Sequence, residues 1–198
     1  MISDCTALIL AGGESRRMGR DKATILLGES TLLQSVAATL QPLFADIIVS
    51  MRPPYLKTDL PQVCDDLAYA GPLAGLAAGL SRNRTPWLFV VACDMPFIKP
   101  ALIEYLARLR SADCQAVVPM VIGYPQPLAA FYAASCLPMV QDCLNGSGKH
   151  SLRALLERLQ VRYVTELEIM EADSELLSFF DLDTQQDVAL AMQRRKDI

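Results

Sequence analysis

The sequence predicts a three-layer α/β/α fold with a mainly parallel central sheet, formed as a single domain over residues 1–198. Three observations carry that expectation. Strand-like segments alternate with amphipathic stretches of roughly ten residues or more, the pattern of repeated strand–helix–strand units. The strand-like segments are continuously apolar instead of alternating, so both of their faces must be covered. A chain of 198 residues, 52% of them hydrophobic, buries roughly 70% of its unfolded surface, enough for one core without disulfide or metal staples.

The first strand is expected over Thr6 to Leu10, stopped by Gly12-Gly13. Ser30 or Thr31 suits the N-cap of a helix carrying Leu32, Leu33, Val36, Ala37 and Leu40 on one face, ended before Pro42. Ala45 to Met51 reads as the next strand. A small-residue helix then starts at Pro72, with Gly75 and Gly79 on a face suited to close packing. Trp87 to Cys93 is a continuous apolar strand ending at Asp94, and Pro100 opens a helix striped by Leu102, Ile103, Leu106 and Leu109. Beyond it, Gln115 to Met120, Pro127 to Tyr132 and Val161 to Val164 are strand candidates. Ser151 to Leu159 is a helix, and Thr184 caps a last helix through Arg194 with Asp187 in its first turn and Arg194, Arg195 and Lys196 at its end. The stretch from Ala112 to Leu144 is irregular and is the expected place for an insertion shaping a second pocket. No repeat, low-complexity segment or linker interrupts the chain.

Composition excludes several classes. The hydrophobic content is too high and the net charge of −4 too small for disorder, while runs such as Trp87 to Cys93 fall far short of the ~20 residues of a membrane span. Asp4, Gly12 and Gly13 interrupt any secretory apolar region, so the expected compartment is the cytoplasm. Cys5, Cys64, Cys93, Cys114, Cys136 and Cys143 are scattered, and with His150 the sole histidine no zinc spacing arises. They read as free thiols. A pI near 5.0 argues against nucleic-acid binding. Against this acidic background Arg16, Arg17, Arg20 and Lys22 form one basic spot, opposed locally only by Asp21.

Ligands of open parallel sheets bind beyond the carboxyl ends of the strands. At the first such end, Gly12 and Gly13 free the backbone to approach a phosphate chain, and the cations that follow can neutralise it. The spacing matches neither a Walker loop nor a dinucleotide G-x-G-x-x-G. The same residues also suit a tight turn followed by a solvated basic face. At the second end the apolar strand delivers Asp94, which suits Mg²⁺ bound through one or two carboxylates plus phosphate oxygens, or a turn before Pro96. At the third, Asp65 and Asp66 precede Gly71-Pro72-Leu73-Ala74-Gly75 and can accept hydrogen bonds from a base or sugar. Lys22 and Asp94 together point to metal-assisted chemistry on a nucleotide.

The run Leu10-Ala11-Gly12-Gly13-x-Ser15-x-Arg17-Met18-Gly19-x-Asp21-Lys22-Ala23, then Asp65, Gly71-Pro72-Leu73-Ala74-Gly75 and Cys93-Asp94-Met95-Pro96, resembles the molybdenum cofactor guanylyltransferase family. The similarity continues through Pro125-Gln126-Pro127-Leu128 and Phe180-Asp181-Leu182-Asp183-Thr184. It implies a Rossmann-like nucleotidyltransferase fold whose N-terminal half binds nucleotide and whose C-terminal half binds pterin. It implies transfer of GMP from GTP to molybdopterin, with Mg²⁺ as cofactor and release of pyrophosphate. By position, Leu10, Ala11 and Gly12 correspond to backbone contacts to GTP, with Gly13 beside them. Lys22 corresponds to the phosphate lysine, Asp65 (or Asp66, since the spacer varies) to an acidic nucleotide contact, and Asp94 to the metal ligand. Arg17, and Arg16 with it, are added as phosphate clamps. The resemblance also brings a molybdenum insertase and molybdoenzyme chaperones into view as partners, with neither nucleic acid nor membrane.

The chain departs from the family pattern in places. Ser50 stands where some members carry Asn. Asp181-Leu182-Asp183-Thr184 replaces an Asn-x-Asn-Thr run, and its aspartates suit either a second metal or a helix cap. Gly146-Ser147-Gly148-Lys149-His150-Ser151 mimics a phosphate loop but reads as a helix N-terminus, with Lys149 or Arg153 able to meet the pterin phosphate. The nearest rival is the CTP-dependent cytidylyltransferase branch, which tends to carry Pro where Asp21 stands here; Asp21 therefore favours GTP. Sugar-1-phosphate nucleotidyltransferases are longer with a different lysine spacing. A non-catalytic binding module would be expected to lack Lys22 and Asp94, and both are present.

Overall fold

The computed structural model describes residues 1–11, 22–52, 58–64, 71–146 and 148–194. In chain order the elements are β1 (Cys5–Leu10), β2 (Leu26–Leu27), β3 (Ser30–Thr31), α1 (Leu32–Leu40), β4 (Ile47–Met51), β5 (Gln62–Cys64), α2 (Pro72–Arg82), β6 (Trp87–Ala92), α3 (Pro100–Arg108), β7 (Ala116–Val121), β8 (Tyr124–Pro125), β9 (Ala129–Ala133), α4 (Leu137–Asn145), α5 (Leu152–Leu156), β10 (Val161–Val164), α6 (Glu166–Met170) and α7 (Gln185–Arg194). The main sheet runs β10-β7-β9-β6-β1-β4-β5, with β8 hanging from β7 and β2–β3 forming a separate hairpin. β1 pairs in parallel with both β4 and β6, β4 with β5, and β10 with β7. β9 lies antiparallel between β6 and β7.

Side chains alternate across each strand, and this period sorts the core into two layers. Ala7, Ile9, Phe89, Val91, Val117 and Phe131 face one side, where they meet α1 through Val36 and Leu40 and α3 through Leu102, Ile103 and Leu106. Leu8, Leu88, Val90, Val118, Ala130 and Tyr132 face the other, against α2 through Leu73, Leu76 and Leu80, α4 and α5. The central strands are buried on both faces, hence their continuous apolarity. Leu88, Phe89, Val90 and Val91 are all fully buried, each contributing about 1.5–3 kcal/mol.

The helix ends follow local chemistry. Thr31 caps α1 in a reciprocal box with Gln34, and all five stripe residues of α1 are buried. Pro72 opens α2 as expected, and Gly79 faces β1: a Cβ there would come within 2.4 Å of Leu8 Cδ2. Ser151 caps α5, which stops short of the expected Leu159, because Arg158 and Leu159 bond back three residues instead of four. β4 begins at Ile47 and β9 at Ala129, each two residues later than expected, while β10 matches. Thr184 and Asp187 exchange backbone and side-chain hydrogen bonds at the start of α7. Arg195 and Lys196 lie outside the described residues.

The stretch 112–144 is more regular than expected, since it holds β7, β8, β9 and α4. β7 and β8 are joined by Ile122 and Gly123, both at positive φ (51° and 74°), so the turn is a type I′ with Ile where Asn or Asp is usual. The Glu166 carboxylate accepts the Ile122 N–H at 2.7 Å. None of the six cysteines is joined in a disulfide, and burial pushes the Cys5 and Cys136 thiols up to about 12. No helix among the described residues is long and apolar enough to cross a membrane.

Asp173 is the fully buried carboxylate of the described core. It accepts the Ser178 N–H at 2.8 Å and pairs with Lys99 Nζ at 2.8 Å, fastening the start of α3 to the chain that leads to α7. Burial alone would raise its pKa, yet Lys99 and Ser178 outweigh it and hold the carboxyl below the usual range. A depressed folded-state pKa adds stability above the unfolded value of about 4, and that stability is lost as pH falls below it. Asp173→Asn is therefore expected to cost about 3 kcal/mol at neutral pH, and urea unfolding should show a shallower acid decline below about pH 4 than the parent chain.

Candidate active site

The parallel strands β1, β4 and β6 set a common carboxyl edge. Cys93 N–H donates to the Leu10 carbonyl (3.1 Å) and Ala11 N–H to the Ser50 carbonyl (2.8 Å), so the ends of all three strands stay level. Leu10 and Ala11 thus stand beside Asp94. Ser50 is itself buried, with its carbonyl spent on Ala11. Gly12, Gly13, Arg16, Arg17, Arg20, Asp21, Asp65 and Asp66 lie outside the described residues.

At this edge the structure joins three distant parts of the chain. Lys22, opening a 3-10 turn over Lys22–Thr24, donates to Asp94 Oδ2 at 2.7 Å and to Asp183 Oδ1 at 2.6 Å. The lysine and Asp94 are each 18% exposed and Asp183 55%. Burial works against the ammonium, but its hydrogen bonds to Asp183 and Asp94 outweigh it and raise the Lys22 pKa above its ordinary value. Asp181, although largely at the surface, is raised too, first by desolvation of its carboxyl and next by the charge of Asp94. Two carboxylates therefore hold one ammonium, with Asp181 nearby on the same segment.

The Asp181–Asp183 segment is fixed by its apolar middle residue. Leu182 is fully buried against Leu27, Leu32 and Ala191, and its N–H donates to the Asp94 carbonyl at 3.0 Å. The rings of Phe97 and Phe180 sit 6.2 Å apart beside it. The alternation in Phe180-Asp181-Leu182-Asp183 is thus that of an extended segment anchored inward at even positions. That signal was present in the sequence, but not the fact that Asp183 reaches Lys22 across 161 positions.

Ser151 is the N-cap of α5, the helix N-terminus expected there. Ser151 accepts the Ala154 N–H at 3.2 Å, and the His150 ring lies 2.8 Å from the Gly146 carbonyl. Arg153 sits over the ring of Tyr124, 5.7 Å from its centroid. Among the described residues no three His, Cys, Asp or Glu side chains converge as a metal site.

The raised Lys22 pKa has a chemical consequence, because acylating reagents attack only the neutral amine. At pH 8.5, acetic anhydride labelling read by peptide mass spectrometry should modify Lys22 more slowly than exposed Lys149, and Asp183→Asn should speed Lys22 labelling severalfold. Equal rates in the parent chain and the variant would show that Asp183 does not hold the ammonium.

The MobA-like NTP transferase domain model matches residues 7–163. A probable molybdenum cofactor guanylyltransferase of Pelotomaculum thermopropionicum is 34% identical over 94% of this chain and 91% of the relative. A molybdenum cofactor guanylyltransferase of Syntrophotalea carbinolica is 34% identical over 92% and 88%. The solved molybdopterin-guanine dinucleotide biosynthesis protein A of Archaeoglobus fulgidus superposes with a TM-score of 0.86 at 28% identity, over 98% of this chain and all of that one. A cytidylyltransferase acting on 2-C-methyl-D-erythritol 4-phosphate, from Thermus thermophilus, shares the fold at a TM-score of 0.70 and 20% identity. With a family match across most of its strands and relatives one-third identical nearly end to end, the chain belongs to the MobA-like NTP transferase family and is a nucleotidyltransferase.

Proposed function

We propose that the chain transfers GMP from GTP to molybdopterin, forming the guanine dinucleotide of the cofactor and releasing pyrophosphate. The observation that carries this reading is Lys22 at the carboxyl edge of β1 and β6, in contact with Asp94. The names of the relatives support GTP as donor and molybdopterin as acceptor.

In the transfer, an oxygen of the acceptor phosphate attacks the α-phosphorus of GTP. The bond from that phosphorus to the bridging oxygen breaks, and pyrophosphate leaves with the electron pair. The acceptor oxygen is already ionised, so no strong general base is needed, and the task of the protein is alignment and charge. Leu10 and Ala11, with Gly12 and Gly13 after them, present backbone to the nucleotide. Lys22 and Arg17 balance the triphosphate charge, and Asp65 or Asp66 meets the sugar or base. The β7–β9 region and α5, with Arg153 over Tyr124, provide the pterin side.

The donor set at the edge fits Mg²⁺, because hard carboxylate oxygens of Asp94 and Asp183 already converge on one cation. Asp94 is the assigned holder, and Mg²⁺ bound there would neutralise charge on the triphosphate. The proposed setting is the cytoplasm, next to a molybdenum insertase and the chaperones of molybdoenzymes.

Purified chain with Mg²⁺, molybdopterin and each nucleoside triphosphate in turn is expected to release pyrophosphate with GTP. Equal or faster release with CTP would replace the guanylyl reading by the cytidylyl one, and release with none would favour a binding module. Asp94→Ala should lower turnover by about a hundredfold or more while leaving the thermal midpoint within a few degrees. Retention of most activity would remove Asp94 from the chemistry.

A further inference from the structure

We propose that Lys22 is a place-holding cation: in the free protein it occupies the ground between Asp94 and Asp183 that a metal ion needs, so metal binding becomes conditional on nucleotide binding. The inference rests on the nucleotidyltransferase reading above and adds an order of events to it.

The geometry supplies the argument. One ammonium is hydrogen-bonded to two carboxylates at 2.7 and 2.6 Å, and the acids cannot separate freely. Leu182, buried next to Asp183, is bonded through its N–H to the Asp94 carbonyl, which locks the two acid-bearing segments together. Asp181, two residues from Asp183, adds a third acid to the same segment. Without a cation between them these carboxylates would repel. Lys22 therefore balances the charge of these acids, and it does so by pointing its N–H groups at the oxygens that a metal would need.

A metal ion at a carboxylate oxygen requires roughly 2.0–2.1 Å for Mg²⁺ and cannot share that lone pair with an ammonium. Metal alone must evict Lys22 into water. A triphosphate changes the balance, because it offers the lysine a polyanionic partner and leaves the carboxylates uncompensated. Nucleotide thus strengthens metal binding, and by reciprocity metal strengthens nucleotide binding by the same factor. A lysine serving only as a permanent structural tie would behave differently: its removal would loosen the edge without creating a better metal site.

The test uses Mn²⁺ as probe and the full chain, with free Mn²⁺ read by electron paramagnetic resonance, alone and with α,β-methylene-GTP. In the parent chain the analogue should tighten Mn²⁺ binding by about 5–150-fold. In Lys22→Met, Mn²⁺ alone should bind at least about tenfold more tightly than to the parent chain, and the enhancement by the analogue should shrink. Binding of Mn²⁺ to Lys22→Met no tighter than to the parent chain overturns the proposal. Should that variant fail to fold, the parent chain carries the test through acetylation of Lys22: saturating Mn²⁺ alone should accelerate labelling, and an unchanged rate overturns the proposal. Asp94→Asn is the separate control for the underlying reading. If it binds Mn²⁺ with the analogue as tightly as the parent chain, the metal assignment at Asp94 fails on its own, whatever Lys22 does.

Discussion

The level carboxyl ends of β1, β4 and β6 are the constraint from which the rest of the site follows. Two backbone hydrogen bonds enforce it, Cys93 N–H to Leu10 and Ala11 N–H to Ser50. A one-residue slip of β6 against β1 would turn Leu88 and Val90 toward the wrong helix layer, so the register is held by the burial of both faces. The core on either side of the sheet therefore positions this edge from a distance. It decides that the chain after Leu10 and the carboxylate after Cys93 emerge side by side.

The central half of this architecture was legible because its signals are local. Continuous apolarity marked β1, β4 and β6, a Thr cap and a 3.6-residue stripe marked α1, and Pro72 marked the start of α2. The same logic put Lys22 and Asp94 on one edge, since strand ends of parallel neighbours share a side. The β7–β8 turn was illegible for an equally physical reason. Its left-handed positions hold Ile122 and Gly123, and a β-branched residue carries no turn signal. β9 also escaped the parallel rule, because a strand buried on both faces reads the same in either direction.

Asp183 shows where reading a sequence stops. From the sequence, its charge suited either a helix cap or a metal. The cap at α7 is instead Thr184 with Asp187, whose carboxylate takes both the Asp183 and the Thr184 N–H groups. That arrangement releases the Asp183 side chain from local duty and leaves it to face Lys22. Leu182 had to be buried and so turned both flanking acids outward.

Placing opposite charges together at a reaction edge has a cost that bears on the chemistry. A lysine left unpaired at the edge would be fully available to phosphate, but Asp94 and Asp183 would then face each other uncompensated in a partly buried setting. Pairing all three lets the free protein hold its site in one geometry, at the expense of having to exchange partners when substrate arrives. The exchange is favourable only for a ligand that brings both anionic oxygens for the lysine and a cation for the acids. A nucleoside triphosphate carrying a divalent metal meets both conditions at once, whereas pyrophosphate without metal or metal without nucleotide meets one. Under the proposed order of events, the charge balance at Lys22 would select the complete substrate complex by electrostatics, in addition to any shape the pocket presents to the base.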